Sequence, residues 1–207
     1  MAASNVNSPA LQANFSLSKD ALTVHMRLVN PSDVPLLVFD KLWKGDSSGK
    51  VLPDQEGIYR FVEDATLRLL LGQAPPPANK NVLYRNVPYL TRVEAHATLE
   101  RDIVLGAPVR EHNVYFPPAK KKGSEDKKDG DVPEGFTTDV TKNVELFVEY
   151  LVATADIKTF PSPFLPGALN LDTPGAWSRA LLARSGPTPL AVPVLRRTDA
   201  FQRWTPP

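Results

Sequence analysis

The stretch LTVHMRLVNPSDVPLLVFDKLW, residues 22–43, decides the fold class. Residues 22–29 alternate apolar and polar side chains, which is typical of a strand with one buried face. Asn30-Pro31-Ser32-Asp33 fits a tight turn, because Asn favours the first position of a type I turn and Pro the second. Val34–Trp43 is apolar at most successive positions, which indicates a strand buried on both faces. We therefore expect an antiparallel hairpin whose second strand is central.

Six other stretches have the same character, and with the first two they make eight predicted strands. They are residues 11–17, 58–62, 66–71, 89–93, 98–105 and 144–152. Turns with Pro or Gly separate them, and no helical pattern lies between them. This arrangement predicts an all-β chain with two packed antiparallel sheets, and it argues against parallel βαβ units, which need crossover helices.

Two segments that interrupt the series of predicted strands are expected to be exposed loops. Gly72–Asn81 contains three consecutive prolines, and Pro117–Glu134 contains a run of lysines, aspartates and glutamates. Residues 120–131 lack large apolar side chains, so they cannot bury enough surface to offset the entropy of ordering. We expect residues 118–134 to form a mobile charged loop of a β-sandwich domain that spans residues 1–157.

Residues 158–207 are predicted to form a separate Pro-rich extension, docked on the sandwich or on a partner. Nine of the 21 prolines of the chain lie between Pro161 and Pro207. A short helix is predicted to start after an N-cap at Thr173 and to stop at Gly186. Leu190–Leu195 is predicted as an edge strand, because Pro193 cannot donate a backbone hydrogen bond.

Composition excludes several classes of protein. The chain has 207 residues, no cysteine and a formal net charge of +1, from 24 Lys and Arg against 23 Asp and Glu. Disulfide scaffolds and thiolate metal sites are therefore excluded. The charge balance gives no global attraction to nucleic acid or to an anionic membrane, so neither is predicted as a partner. The first residues show no secretory signal, and we expect a cytoplasmic protein, although a removed signal would leave no trace.

Motifs for catalysis are sparse. Gly45-Asp46-Ser47-Ser48-Gly49 matches the Gly-x-Ser-x-Gly pattern of nucleophile elbows, but Pro53 follows where that motif needs a helix. A polar turn is the favoured interpretation, and a serine hydrolase that uses Ser47 is kept as an alternative. The three histidines are scattered, and the acidic residues of the strands, such as Glu145 and Glu149, are predicted to face outward. We predict no catalytic residue, no metal site and no cofactor.

The extension carries the residues that favour binding. From residue 163 onward it has a formal charge of +3, from five arginines and two aspartates, with aromatic residues between them. Arginine and aromatic side chains are enriched at interface hot spots. The candidate partner-binding residues are Trp177, Arg179, Arg184, Arg196, Arg197, Phe201 and Trp204. Two interpretations stay open for the aromatic side chains: they dock within the chain, or they insert into another protein.

The sequence around the predicted hairpin also resembles a known group of folds. Residues 22–36 resemble the second and third strands of small immunoglobulin-like sandwiches. Similar turns occur in the intracellular proteinase inhibitors of bacilli and in the late-embryogenesis-abundant type of β-sandwich. The resemblance covers about a tenth of the chain and implies an immunoglobulin-like β-sandwich, without assigning a functional residue.

We therefore expect a non-catalytic protein-interaction module, such as an accessory or structural subunit of a larger bacterial assembly. One alternative is an inhibitor or immunity-type protein that blocks an enzyme with a loop such as Gly72–Asn81. A protein partner is expected, and self-association by edge-strand or tail exchange is a further alternative.

Overall fold

The computed structural model describes residues 7–77, 87–117, 132–199 and Arg203. The chain is all-β, and its two described helices are short 3-10 helices, Gln55–Gly57 and Ala176–Arg179. The described strands, in chain order, are β1 Ala10–Leu17, β2 Ala21–Val29, β3 Leu36–Lys41, β4 Trp43–Gly45, β5 Val51–Pro53, β6 Tyr59–Glu63, β7 Thr66–Leu71, β8 Tyr89–Val93, β9 Thr98–Gly106, β10 Val109–Arg110, β11 Phe136–Val140, β12 Asn143–Val152, β13 Thr159–Pro161, β14 Leu169–Leu171, β15 Leu181–Arg184, β16 Thr188–Pro189 and β17 Pro193–Arg197.

These strands form four sheets. A three-stranded sheet has the order β1-β2-β9, and a nine-stranded sheet has the order β13-β14-β8-β3-β12-β7-β6, with β15 and β16 also paired to β12. The smaller sheets are β10-β17-β11 and the hairpin β4-β5. Most pairs are antiparallel, but β7 with β12 and β10 with β17 are parallel. The expectation of purely antiparallel pairing is therefore wrong at these two places.

All eight predicted strands are present, but β2 and β3, which were predicted to form a hairpin, do not pair with each other. β2 pairs with β1 and β9, whereas β3 pairs with β8 and β12, so residues 30–35 carry the chain from one sheet to the other. The buried Asn30 side chain fixes this crossing, because its Nδ2 donates to the carbonyls of Val34 and Glu94, each at 2.9 Å. β2 has one polar face, while β3 is apolar on both faces, so the two strands need different environments.

Strands β3, β6, β7 and β12 of the nine-stranded sheet are buried on both faces. One face shares a core with the β1-β2-β9 sheet, which we call the intersheet core and which includes Met26, Val38, Leu69 and Leu146. The outer face carries an aromatic cluster and an aliphatic cluster, each covered by later segments of the chain. The aromatic cluster contains Tyr59, Phe61, Leu70, Ala74 and Phe147, and the aliphatic cluster contains Leu37, Phe39, Leu90 and Leu151.

The segment after residue 158 supplies β13 to β17 to these sheets. The helix predicted between Thr173 and Gly186 is limited to the 3-10 helix Ala176–Arg179, and β15 follows where the helix was expected to continue. Backbone pairing of β15 with β12 replaces the helix, since a short helix in isolation is marginal. β17 is central rather than at an edge, because Pro193 is its first residue and the strand pairs on both sides.

The two predicted loops differ in what the structure describes of them. Gly72, Ala74 and Pro77 are buried, so the described part of Gly72–Asn81 is packed rather than exposed. The Glu149 carboxylate accepts the Gln73 N–H at 2.6 Å and holds this segment on the sheet. Residues 118–131 of the predicted mobile loop lie outside the described residues.

Candidate functional site

Arg197 and Arg203, at the end of the chain, meet at one buried carboxylate, Glu111. The Glu111 side chain is fully buried and accepts the backbone N–H of Val62 at 2.8 Å and that of Arg197 at 2.7 Å. Arg203 donates to both of its oxygens, from Nε at 2.9 Å and from Nη2 at 2.7 Å. Each oxygen therefore has two donors, which is the condition for burying a charge. We call this group the Glu111 centre.

Arg197, a candidate binding residue, is almost wholly buried. Its guanidinium pairs with Asp199, donates to the Phe116 carbonyl at 2.6 Å and lies over the Phe136 ring at 5.6 Å. The Asp199 pKa is held below its ordinary value mainly by the hydrogen bond from Arg197. The Arg197 side chain therefore makes its contacts within the chain.

The other three candidate arginines that the structure describes pair with carboxylates on separate elements. Arg184 pairs with the buried Glu145 and lies 5.7 Å from the centre of the Phe147 ring. The prediction that Glu145 faces solvent is therefore wrong, because β15 covers it.

Arg179 and Arg196 form exposed ion pairs. Arg179 pairs with Asp156 at 2.6 Å and Arg196 with Asp139 at 3.1 Å. Hydrogen bonds from Arg179 and Thr154 lower the Asp156 pKa to about 2. Asp156 and Asp139 both precede residue 163, where the segment with a formal charge of +3 begins. Carboxylates elsewhere in the same chain therefore compensate the positive charge of that segment.

Of the three candidate aromatic residues, the structure describes only Trp177. Trp177 is partly buried and packs against the aliphatic cluster on the outer face of the nine-stranded sheet. Its carbonyl accepts from Gln73 Nε2 at 3.2 Å. Phe201 and Trp204 lie outside the described residues. The structure therefore brings Arg197 and Arg203 together, but it does not gather the described candidates on one surface.

Two phenylalanines of the same segment are exposed. Phe160 is 45% exposed on β13, and Phe164 is 59% exposed in the loop between β13 and β14. Residues 159–171, which we call the aromatic hairpin, form one end of the nine-stranded sheet. Ser162 Oγ accepts the N–H groups of Phe164 and Leu165, each at 3.2 Å, and Leu165 is buried. The loop is therefore held while the Phe164 side chain points outward.

Backbone pairing at β13 limits what its free edge can bind. The N–H of Ser162 bonds to Ala168 and the carbonyl of Lys158 accepts from Asp172, both at 2.8 Å. Alternation along an antiparallel ladder then turns Thr159 and Pro161 to the open edge. Pro161 has no N–H, so this edge offers few donors to an added strand.

Ser47 lies in the turn of the β4-β5 hairpin, as the polar-turn interpretation predicts. Asp46 Oδ1 accepts the N–H groups of Ser48 and Lys50, at 2.8 and 2.9 Å, and the Ser48 hydroxyl at 2.6 Å. These bonds hold the Asp46 pKa below its ordinary value, with the Ser48 hydroxyl as the main cause. The strand-to-helix turn that holds a nucleophile elbow is replaced here by a hairpin.

The three histidines lie apart, and each has a different environment. His25 and His96 are exposed and bond to Asp102 at 2.6 Å and to Asp33 at 3.1 Å. His112 is mostly buried, and burial together with the nearby Arg60 lowers its pKa to about 4. Among the residues that the structure describes, no group of three or more His, Asp or Glu side chains could hold a metal ion.

A cleft of about 260 Å³ opens between the β1-β2-β9 sheet and the nine-stranded sheet. Asp40 and Arg101, on strands of the two facing sheets, both line it and pair at 2.8 Å. The Asp40 side chain is fully buried. The sequence patterns did not predict this site. Its signal in the sequence is a single carboxylate inside the apolar run of residues 36–43.

The chain matches no known protein-family model, and no curated protein sequence or solved structure is significantly similar to it. Among the described residues there is no helix with the length and apolar character needed to cross a bilayer.

Proposed function

We propose that this protein is a non-catalytic protein-interaction module that serves as an accessory or structural subunit of a larger assembly. The observation that carries the proposal is the exposure of Phe160 and Phe164 together on one hairpin. Large aromatic side chains are typical anchors of protein interfaces, and paired exposed anchors are costly to leave in water. The partner on this proposal is a second protein with an apolar pocket that receives these two rings.

The aromatic hairpin is suited to this role because it is already ordered. Ser162 and the Ala168 N–H, which bonds to the Leu165 carbonyl at 3.1 Å, shape its loop, and Gly167 adopts a left-handed φ of 69°. Prolines at 161, 163 and 166 restrict the backbone further. A preordered loop loses little conformational entropy on binding, so more of the contact energy appears as affinity.

The scaffold of the proposal is an immunoglobulin-like β-sandwich. Its support is the placement of β2 and β9 as neighbours in one sheet and of β3 and β12 as neighbours in the facing sheet. In immunoglobulin domains, strands B and E pair in one sheet while C and F pair in the other. The intersheet core between these four strands supports the same comparison.

Site-specific photocrosslinking in the native cell tests the proposal. A benzoylphenylalanine at position 164 is expected to crosslink one protein, and the same probe at Val140, which is equally exposed at 59%, is not. The crosslinked protein is then purified and titrated calorimetrically with the wild-type chain and the Phe160→Ala/Phe164→Ala variant. We expect the variant to bind at least about thirtyfold more weakly, as hot-spot truncations do.

Several outcomes would contradict the proposal. Equal affinity of the variant and wild-type chains would exclude the hairpin as the interface. A crosslink to a second copy of the chain would identify self-association instead, and a crosslink from Pro76 alone would favour the inhibitor alternative. Labelling by a fluorophosphonate that Ser47→Ala abolishes would favour the serine hydrolase.

A further inference from the structure

We propose that the cleft between the two sheets binds a compact organic amine, with an apolar body between the sheets and an ammonium group at Asp40. This site is separate from the aromatic side chains proposed to bind a protein. Its volume of about 260 Å³ is slightly below the usual range for small-molecule pockets, so it fits a ligand of one ring or a short branched chain.

The Asp40 carboxylate is the polar centre of the site. Its Oδ2 accepts from Arg101 Nε at 2.8 Å, while Oδ1 is buried and has no hydrogen-bond partner within the described residues. A buried acceptor left without a donor lowers stability, and a ligand N–H group would remove that penalty. The structure thus leaves one carboxylate oxygen free to accept from a ligand.

Arg101 holds the carboxylate without using this second oxygen. Its Nη1 donates to the Glu100 carbonyl at 2.9 Å and its Nη2 to Thr91 Oγ1 at 3.3 Å, so all three of its nitrogens have partners in the chain. The Arg101 side chain is about one-third exposed, whereas Asp40 is fully enclosed. Binding of a ligand at Asp40 therefore requires the guanidinium to move toward solvent, because the Asp40 side chain has no exposed surface.

The pairing of the charged groups at the cleft favours a cation over an anion. Without Asp102, whose carboxylate is directed to the outer face, the lining has two carboxylates against Lys41 and Arg101, so its charges balance. Asp54, whose side chain is 16% exposed, pairs with Lys44 at 3.3 Å, and Asp102 pairs with His25 on the outer face. Asp40 is the lining carboxylate with a buried oxygen that has no donor among the described residues, so it is the one assigned to the ammonium.

The rest of the lining is suited to an apolar body. Leu42, Leu71 and Ile103 form walls from both sheets, and Leu165 and Pro166 approach from the aromatic hairpin. Leu71 and Ile103 belong to the intersheet core, so the cleft continues the apolar interior of the protein. A ligand body bound here removes apolar surface from water, which favours binding.

Amide NMR spectra of the full chain test the site with three probes that share one ring. The probes are cyclohexylmethylamine, cyclohexylmethanol and cyclohexanecarboxylate. We expect the amine to shift the amides of Asp40, Leu42, Ile103 and Leu165 in a saturable way. The alcohol is expected to bind at least about tenfold more weakly, and the carboxylate more weakly still. Equal or stronger binding of the carboxylate, or no saturable shifts with the amine, would overturn the proposal.

Matched variants separate the charge from the shape of the site. Asp40→Asn is expected to weaken amine binding about tenfold or more, whereas Asp102→Asn, which removes a lining charge directed to the outer face, leaves it within about twofold. Leu42→Phe narrows the cleft without changing its charge, and it is expected to weaken binding of all three probes. It keeps the test decisive if Asp40→Asn does not fold. Wild-type affinity in folded Asp40→Asn or Leu42→Phe would overturn the assignment.

Discussion

The segment after residue 158 contributes Arg197 and Arg203 to the Glu111 centre and also forms the aromatic hairpin, yet these two regions differ in which side chains they bury. At the Glu111 centre, charged groups are buried and each carboxylate oxygen has two donors. On the aromatic hairpin, large apolar side chains are exposed. The Glu111 centre thus buries charged groups, which are usually exposed, and the aromatic hairpin exposes apolar groups, which are usually buried.

This difference shows why arginine and aromatic content alone did not locate an interface. The described arginines after residue 158 pair with carboxylates on β11 and β12 and in the loops beside the sheets, so their charge contributes to the stability of the chain. Phe160 and Phe164 have no comparable cover from the described residues. The residues available to a partner are therefore the exposed apolar ones.

The largest expected effect comes from breaking the Glu111 centre. Glu111→Ala leaves the N–H groups of Val62 and Arg197 without the Glu111 acceptor and removes the two hydrogen bonds from Arg203, so we expect a loss of about 3 kcal/mol in the free energy of unfolding. Urea denaturation measures it. Asp139→Ala, at an exposed ion pair, is the control and should shift the midpoint little. Similar urea midpoints for both variants would show that the buried Glu111 centre contributes no more to stability than an exposed ion pair.

The pH dependence of stability tests the burial of His112, the residue that follows Glu111 in the chain. Its folded pKa of about 4 lies below the ordinary 6.5, so between these values the unfolded chain binds a proton that the folded chain does not. Stability therefore falls as the pH falls from 6.5 to 4, by about 2 kcal/mol at pH 5. His112→Gln should flatten this slope in urea denaturation, while His25→Gln at an exposed position should keep it. An unchanged slope in His112→Gln would contradict the assignment.

A third change tests whether the Gly72 segment is packed like the Glu111 centre. A Cβ on Gly72 would lie 2.6 Å from Glu149 Oε2 and 2.8 Å from Glu149 Cβ. We expect Gly72→Ala to lower the unfolding free energy by about 1–2 kcal/mol, because Glu149 must move and also accepts the Gln73 N–H. Gly45→Ala is the matched control, since open space surrounds that position. Equal thermal midpoints for the two variants would indicate an exposed loop.

The smallest expected effect on stability is at the aromatic hairpin. Phe160→Ser and Phe164→Ser remove side chains that are exposed, so the unfolding free energy should change by less than about 0.5 kcal/mol. Val140→Ser provides the comparison at equal exposure. A loss of more than about 2 kcal/mol at Phe164 would mean that the ring packs within the chain.

Strands were predictable because their signal is local. The alternation in residues 22–29 and the two-sided apolar run after Val34 correspond to β2 and β3, and both strands are found. Their pairing was not predictable, since alternation fixes the faces of a strand but not its neighbours. The helix expected from Thr173 failed for a related reason: backbone pairing with β12 outweighs the weak helical preference of a short segment.

The candidate sites show the same limit. Ser47 was correctly placed in a turn, because Gly, Asp and Ser bond locally. The role of each arginine depended on carboxylates distant in sequence, and so did the pairing of Asp40 with Arg101. Only the position of Asp40 within an apolar run could have indicated a buried charge beforehand.

By itself, the sequence determined that this is an all-β chain without cysteine, because side-chain periodicity and composition act over a few residues at a time. The tertiary structure decided which charges are buried and paired, which phenylalanines stay exposed and where a cleft opens between the sheets. Burial and electrostatic pairing are properties of groups brought together across the fold, and they depend on distances that no local pattern encodes.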